Sequence, residues 1–105
     1  MAKSTLFLTP SDLREMGLLS APAGAGAHFH DFLQRKNLTA ADAARDLGVA
    51  KSTITRLING ESELTVGLAA KMQRVYDAPV GLFFRLDAKY KAYKVNEMVK
   101  AQAMA

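Results

Sequence analysis

The feature that most limits how this chain can fold is a pair of short helical segments separated by only three residues. Residues 39–47 and 51–58 each place apolar side chains at helical spacing, and only Gly48-Val49-Ala50 lies between them. Thr39 is suited to begin the first segment, because its hydroxyl can accept a hydrogen bond from a free backbone N–H. The glycine of the turn and the Asn59-Gly60 pair are typical helix ends. Helices joined this tightly must cross steeply, so the sequence predicts a helix-turn-helix.

The second segment has an outward face of cationic, hydroxyl and amide side chains, and none of them is acidic. A helix that enters the DNA major groove needs such groups to contact base edges and phosphates. We expect Arg56 to read a base and Lys51 to bind a phosphate. A solvated helix face without a ligand is the alternative interpretation. The residues predicted to bind DNA are Lys51, Ser52, Thr53, Thr55, Arg56 and Asn59, with Thr39 at the start of the preceding helix.

Positive charge is concentrated in the second half of the chain. The formal net charge is +4 and the pI is about 9.6. Residues 1–50 are neutral overall, whereas residues 51–105 carry nine basic and five acidic side chains. The excess therefore begins at the proposed recognition helix, which suits a polyanionic partner. Modest basicity is common, so charge supports this interpretation only together with the helix pattern.

Several classes of site are absent from the sequence. There is no cysteine, which excludes disulfides, thiolate metal sites and cysteine nucleophiles. His28 and His30 would point to different sides of a helix, and no third ligand completes a metal site. No carboxylate pair or Ser-His-Asp set lies on rigid elements, and residues 20–27 lack the Lys-Ser/Thr ending of a phosphate loop. We expect no enzyme activity, cofactor or metal.

The chain also lacks signals for a membrane or for secretion. No apolar run approaches the roughly 18 residues of a membrane span. The N-terminus has one lysine and a short apolar patch, too little for a signal peptide. We expect a cytoplasmic protein that does not associate with membranes.

The pattern predicts an all-α chain in three parts. Residues 1–27 form an N-terminal appendage whose stretch SAPAGAGA reads as a flexible linker. Residues 28–95 form a compact five-helix domain, and residues 96–105 form a tail that we expect to fray. Beyond the central pair, helices are predicted over about 28–36, over 66–77 with Thr65 as cap, and from Pro79 onward. The flanking helices are predicted to bury Phe29, Phe32, Leu33, Leu68, Ala69, Met72, Val75, Tyr76, Leu82, Phe83 and Leu86.

The segment ADAARDLGVAKSTITRLING resembles the helix-turn-helix of lambda-repressor-like, Xre-type DNA-binding domains. The matching positions are Ala44, Gly48, Val49, Ile54, Leu57, Asn59 and Gly60. Two positions depart from the family pattern. Ala40 replaces the glutamine that contacts a phosphate in many members, and Ala50 replaces the serine or threonine that caps their second helix. The resemblance implies a lambda-repressor-like fold that binds an operator.

About two-thirds of the chain, from Phe29 to Tyr93, is similar to HigA-type antitoxins. The recognition helix is followed by NG, an alanine-rich helix, and a proline-started helix with two aromatic residues and L-x-x-x-Y. Phe83, Phe84, Leu86 and Tyr90 occupy those positions, with Phe-Phe where Phe-Trp is usual. The similarity implies an antitoxin that represses its own operon and neutralises a HigB-like, messenger-RNA-cleaving toxin.

Other functions remain open at this point. One is a free-standing Xre-type or phage-derived repressor without a toxin, and another is a protein-interaction module whose basic helix contacts an acidic partner. DNA readers of this size usually bind palindromic operators as homodimers. The apolar series that continues to Tyr90 and Tyr93 predicts dimerisation through the last helix. Residues 4–19 are expected either to cover the core or to bind the toxin.

Overall fold

The computed structural model describes residues 22–104, which form five helices and no strand. The prediction of an all-α, five-helix domain is confirmed. Residues 1–21 of the predicted appendage (residues 1–27) and the toxin-binding candidate at residues 4–19 lie outside the described residues. The helices are α1 (Ala25–Arg35), α2 (Ala40–Leu47), α3 (Lys51–Ile58), α4 (Val66–Tyr76) and α5 (Val80–Met104).

One hydrophobic core receives side chains from all five helices. Most predicted core positions are buried, and Phe29, Ile54 and Met72 have no exposed surface. The predictions for Val75 and Leu82 were wrong, because both side chains are 42% exposed. The helices α4 and α5 each turn only a narrow arc toward the core, and these two positions fall beside that arc. The fully buried large side chains are Phe29, Leu33, Ile54, Leu57 and Met72.

The first helix begins three residues before its predicted start, so part of the predicted linker is helical. Gly26 lies in the first turn of α1 and is buried against the backbone of α3. A Cβ at this position would overlap the carbonyl oxygen of Leu57. The Ala25 N–H donates to Asp87 Oδ1 at 2.9 Å, so α5 supplies the acceptor that caps α1. Glycine at this position permits α1 and α3 to cross closely. From composition alone, such a glycine cannot be told apart from one in a flexible linker.

The last helix continues without a break through the expected tail. It spans 25 residues, beginning one residue after Pro79. Every described side chain from Lys91 to Ala103 is exposed. Residues 96–104 are helical, and the expected lack of docking is found. Among residues 22–104, no helix combines the length and the apolar composition needed to cross a bilayer.

Candidate DNA-binding surface

The helix α2 is capped at both ends by the residues that flank it. Thr39 Oγ1 accepts from the Asp42 N–H at 3.0 Å, and Asp42 Oδ2 accepts from the Thr39 N–H at 2.9 Å. The first of these bonds confirms the predicted cap, and the second completes a capping box that the Thr-x-x-Asp pattern could have shown. The bond from the Thr39 N–H is the main reason why the pKa of Asp42 is lowered. Gly48 ends the helix with φ 68°, as predicted.

The turn brings α3 onto α2 through small side chains. Ala43 has no exposed surface and Ala44 is buried, so the two backbones approach closely. Ile54 and Leu57 on the inner face of α3 are buried as well. Tyr76 of α4 donates its hydroxyl to Asp46 Oδ2 at 2.7 Å, which ties α2 to α4 on the far side. These contacts hold α3 at a fixed angle to the rest of the domain.

The start of α3 has no side-chain acceptor. Ala50 occupies the cap position, and no acidic residue lies in the first turn. The absence of a cap at Ala50 is confirmed. The first N–H groups of a helix carry partial positive charge and are anion-binding groups when nothing inside the protein caps them. In α3 they lie next to Lys51, so the helix start is electropositive.

All seven residues predicted to bind DNA are exposed. Two of the seven side chains form a local hydrogen bond. The Thr55 hydroxyl donates to the Lys51 carbonyl at 3.0 Å, and the Thr39 hydroxyl accepts the capping bond described above. Thr55 is therefore oriented by its own helix, and the position of Thr39 is fixed by capping. The remaining five lie on α3 or directly after its end: Lys51, Ser52, Thr53, Arg56 and Asn59.

A groove between α3 and the start of α4 widens this surface beyond the predicted residues. Thr53 and Arg56 line it from α3, and Thr65 and Lys71 line it from the other side. The Thr65 side chain accepts from the Leu68 N–H at 3.1 Å, which confirms the predicted cap of α4. Lys71 was missed, because only the tertiary fold, which packs α4 against α2, brings it to the groove that α3 also lines.

Some cations of the domain are paired with carboxylates, whereas, among the described residues, the cations of this surface are not. Arg35, Arg45, Lys91 and Lys100 form ion pairs with neighbouring carboxylates. Within residues 22–104, Lys51, Arg56 and Lys71 have no acidic partner. Their charge is therefore not neutralised inside the domain and is available to an anionic ligand. A row of such cations around an exposed helix suits the phosphate backbone of a nucleic acid.

Solved structures share this architecture. A hypothetical protein from E. coli superposes with a TM-score of 0.65 at 24% identity, covering 80% of this chain and 87% of its own. A Nostoc punctiforme protein described as an antidote of a plasmid maintenance system has a TM-score of 0.66 at 26% identity, with 82% and 98% covered. PA4674 from Pseudomonas aeruginosa, crystallised with its operator DNA, gives 0.66 at 20% identity, with 78% and 91% covered.

The sequence comparisons agree with the geometry. No curated protein matches the chain significantly. Residues 30–83, however, match the family HTH_3, described as helix-turn-helix, and this range contains α2, the turn, α3 and α4. The match covers just over half of the chain and includes every residue of the proposed DNA-binding surface. The chain therefore belongs to the helix-turn-helix family HTH_3 and contains a helix-turn-helix DNA-binding domain.

Proposed function

We propose that this chain is a sequence-specific transcriptional repressor that inserts α3 into the major groove of an operator. The observation that carries the proposal is the exposed face of α3, whose cations have no acidic partner within the described residues. The same helix buries Ile54 and Leu57, so the face is held rigidly. The structural similarity to PA4674, which binds operator DNA, supports the same interpretation. The proposal assigns the chain no enzymatic activity, cofactor or metal ion.

The roles of two cations test this proposal. Arg56→Ala should weaken operator binding by about 1–3 kcal/mol and relax the preference at one base pair. Lys51→Ala should weaken binding to all duplexes alike and reduce the salt slope by about one unit. The measurement is fluorescence anisotropy with a duplex from the region upstream of the chain's own reading frame and with a shuffled duplex.

The matched control is Arg74→Ala, which removes one exposed cation from α4. Arg74 lines a separate shallow surface with Ala70 and Asp77, away from α3. It should therefore change affinity only through net charge. Equal binding of wild-type protein to both duplexes would contradict sequence-specific recognition, and unchanged affinity in both α3 variants would contradict the assigned surface.

We further propose a homodimer on a palindromic operator, formed through α5. Phe84, Val95 and Val99 are 37%, 58% and 56% exposed. At 100° per residue they fall on one side of the helix together with Ala88 and Ala92, which gives a stripe without charge. Exposed apolar stripes of this kind commonly mark protein interfaces. The small alanines in the middle would let two helices approach closely.

The dimer proposal is tested by charge placed on and beside this stripe. Val95→Lys should give a monomer, because a buried unpaired ammonium strongly opposes association. Asn96→Lys adds the same charge one position along, outside the stripe, and should leave the dimer intact. Sedimentation equilibrium distinguishes the two species. Wild-type protein that is monomeric at high concentration would rule the dimer out.

The finer proposal is that the chain is a HigA-type antitoxin. It rests on the resemblance of Phe29–Tyr93 to that group and on the similarity to the Nostoc antidote protein. Such a chain would bind a HigB-like, messenger-RNA-cleaving toxin through a surface other than α3. Residues 4–19, outside the described residues, remain our candidate for that contact. A free-standing Xre-type or phage-derived repressor is the alternative.

Co-expression separates these two possibilities. An antitoxin should protect cells from a toxin encoded by a neighbouring reading frame, and deletion of residues 1–19 should abolish protection without loss of DNA binding. A repressor without a toxin would have no such neighbour. A deletion variant that is fully stable and still protects cells would remove residues 4–19 from the proposal.

A further inference from the structure

Glu63 lies on a ridge between two concave surfaces. On one side it lines the groove that contains Arg56 and Lys71, and it is the only acidic residue lining that groove among the described residues. On the other side it lines a cleft formed with Tyr90 and Lys91 of α5. Its side chain is 71% exposed, so the carboxylate is not held by burial. A specific partner is therefore needed to fix the position of the Glu63 carboxylate.

That partner is Lys91. Its Nζ lies 2.8 Å from Glu63 Oε2 and 3.1 Å from Asp87 Oδ2. Asp87 is itself fixed, because its other oxygen accepts the Ala25 N–H and its side chain is only 18% exposed. Lys91 is therefore positioned by Asp87 of α5, which is itself bound to the start of α1. In turn, Lys91 holds the Glu63 carboxylate close to α5.

We infer that Lys91 is a positioning residue for the DNA-binding surface, an inference that rests on the proposed function. It keeps Glu63 on the α5 side of the ridge and so leaves Arg56 and Lys71 available to the DNA. Released from Lys91, the carboxylate would pair with a groove cation or lie against phosphate. Either outcome removes favourable contacts between the protein and the DNA. An exposed ion pair adds little to folding stability, so the consequence lies in DNA binding.

A double-mutant cycle tests the inference. Glu63→Gln in the wild-type background should change DNA affinity by less than about twofold, because Lys91 already neutralises the carboxylate. Lys91→Met should weaken binding about fivefold, the equivalent of roughly 1 kcal/mol for one charge pair in water. The double variant should bind within about twofold of Glu63→Gln, since the released carboxylate is gone.

The control for net charge is Lys94→Met. Lys94 lines the same cleft, but its Nζ lies over the Tyr90 ring at 5.2 Å and forms no ion pair among the described residues. Its loss should weaken binding slightly, and Glu63→Gln should not restore it. Lys91→Arg should keep nearly wild-type affinity. The probe is the upstream duplex used above, measured at low and at high salt, with thermal unfolding of each variant.

The outcomes are distinguishable. If Glu63→Gln strengthens binding equally with and without Lys91, the two residues act independently and the inference fails. If Lys91→Met lowers the melting temperature and the double variant restores DNA affinity but not the melting temperature, positioning and stability are separated and the inference stands. If the double variant restores neither, Lys91 is structural and the inference fails. Wild-type protein that binds no duplex would overturn the proposed function and this inference together.

Discussion

The helices α2 and α3 are both eight residues long, but only α2 has a side-chain cap and an acidic residue in its first turn. In α2, Thr39 and Asp42 cap the first turn, and Arg45 pairs with Asp42 at 3.1 Å and with Asp46 at 3.7 Å. In α3 the cap position is Ala50, the first turn has no acid, and no ion pair neutralises Arg56 within the described residues.

This difference separates a supporting helix from a binding helix. The polar groups of α2 interact inside the protein, where they stabilise the helix that α3 rests on. Most polar side chains of α3 are left for a ligand, so the position of this helix depends on packing instead of caps. Burial of Ile54 and Leu57 and the contact of Gly26 with the Leu57 carbonyl supply that packing.

The largest expected effect comes from breaking the packing that supports α3. Gly26→Ala would drive a methyl group into the Leu57 carbonyl, which cannot rotate away, so α1 and α3 must separate. We expect a loss of about 3 kcal/mol in the free energy of unfolding, measured by urea denaturation. Gly67→Ala on α4 is the control, because nothing lies within 4 Å of its added Cβ. That variant should gain about 0.5–1 kcal/mol. Equal stability of the two variants would refute the close crossing.

A smaller effect is expected from giving α3 the cap that it lacks. Ala50→Ser and Ala50→Asp should each raise the free energy of unfolding by about 0.5–1 kcal/mol, since either side chain can accept a first-turn N–H. Their DNA affinities should differ. Aspartate places a negative charge where we expect phosphate and should weaken binding severalfold, whereas serine should not. Anisotropy titrations that find the two variants equal would contradict an anion-binding role for the start of α3.

The smallest effect concerns the pH dependence of α2. The Thr39 N–H lowers the pKa of Asp42, so this carboxylate stabilises the folded state above its unfolded-state pKa of about 3.9. The stabilisation should disappear as the pH falls through the lower folded-state value. The stability difference between wild-type and Asp42→Asn should therefore be constant from about pH 7 to 5 and shrink below about pH 4. Asp31→Asn, in an exposed ion pair with Arg35, controls for net charge. A difference that is independent of pH would exclude the charged cap.

The sequence predicted the parts of the fold that depend on neighbours along the chain. Thr39 and Thr65 begin helices as expected, and the left-handed backbone at Gly48 and Gly60 follows from glycine's freedom at positive φ. These features involve residues no more than four or five apart, so their signals are contiguous in the sequence. The same locality explains why the exposed face of α3 could be identified before the structure was known.

Only the tertiary structure decided which distant groups meet. Asp87 caps Ala25 across 62 residues, and Lys91 reaches Glu63 across 28. The sequence around Gly26 does not show whether this residue lies in a flexible linker or beneath a crossing helix. The difference depends on Leu57, which is distant in the sequence. A local pattern specifies backbone conformation and the side chains that share a face. The direction in which helices cross, and hence which charges they bring together, is set by how the whole core packs.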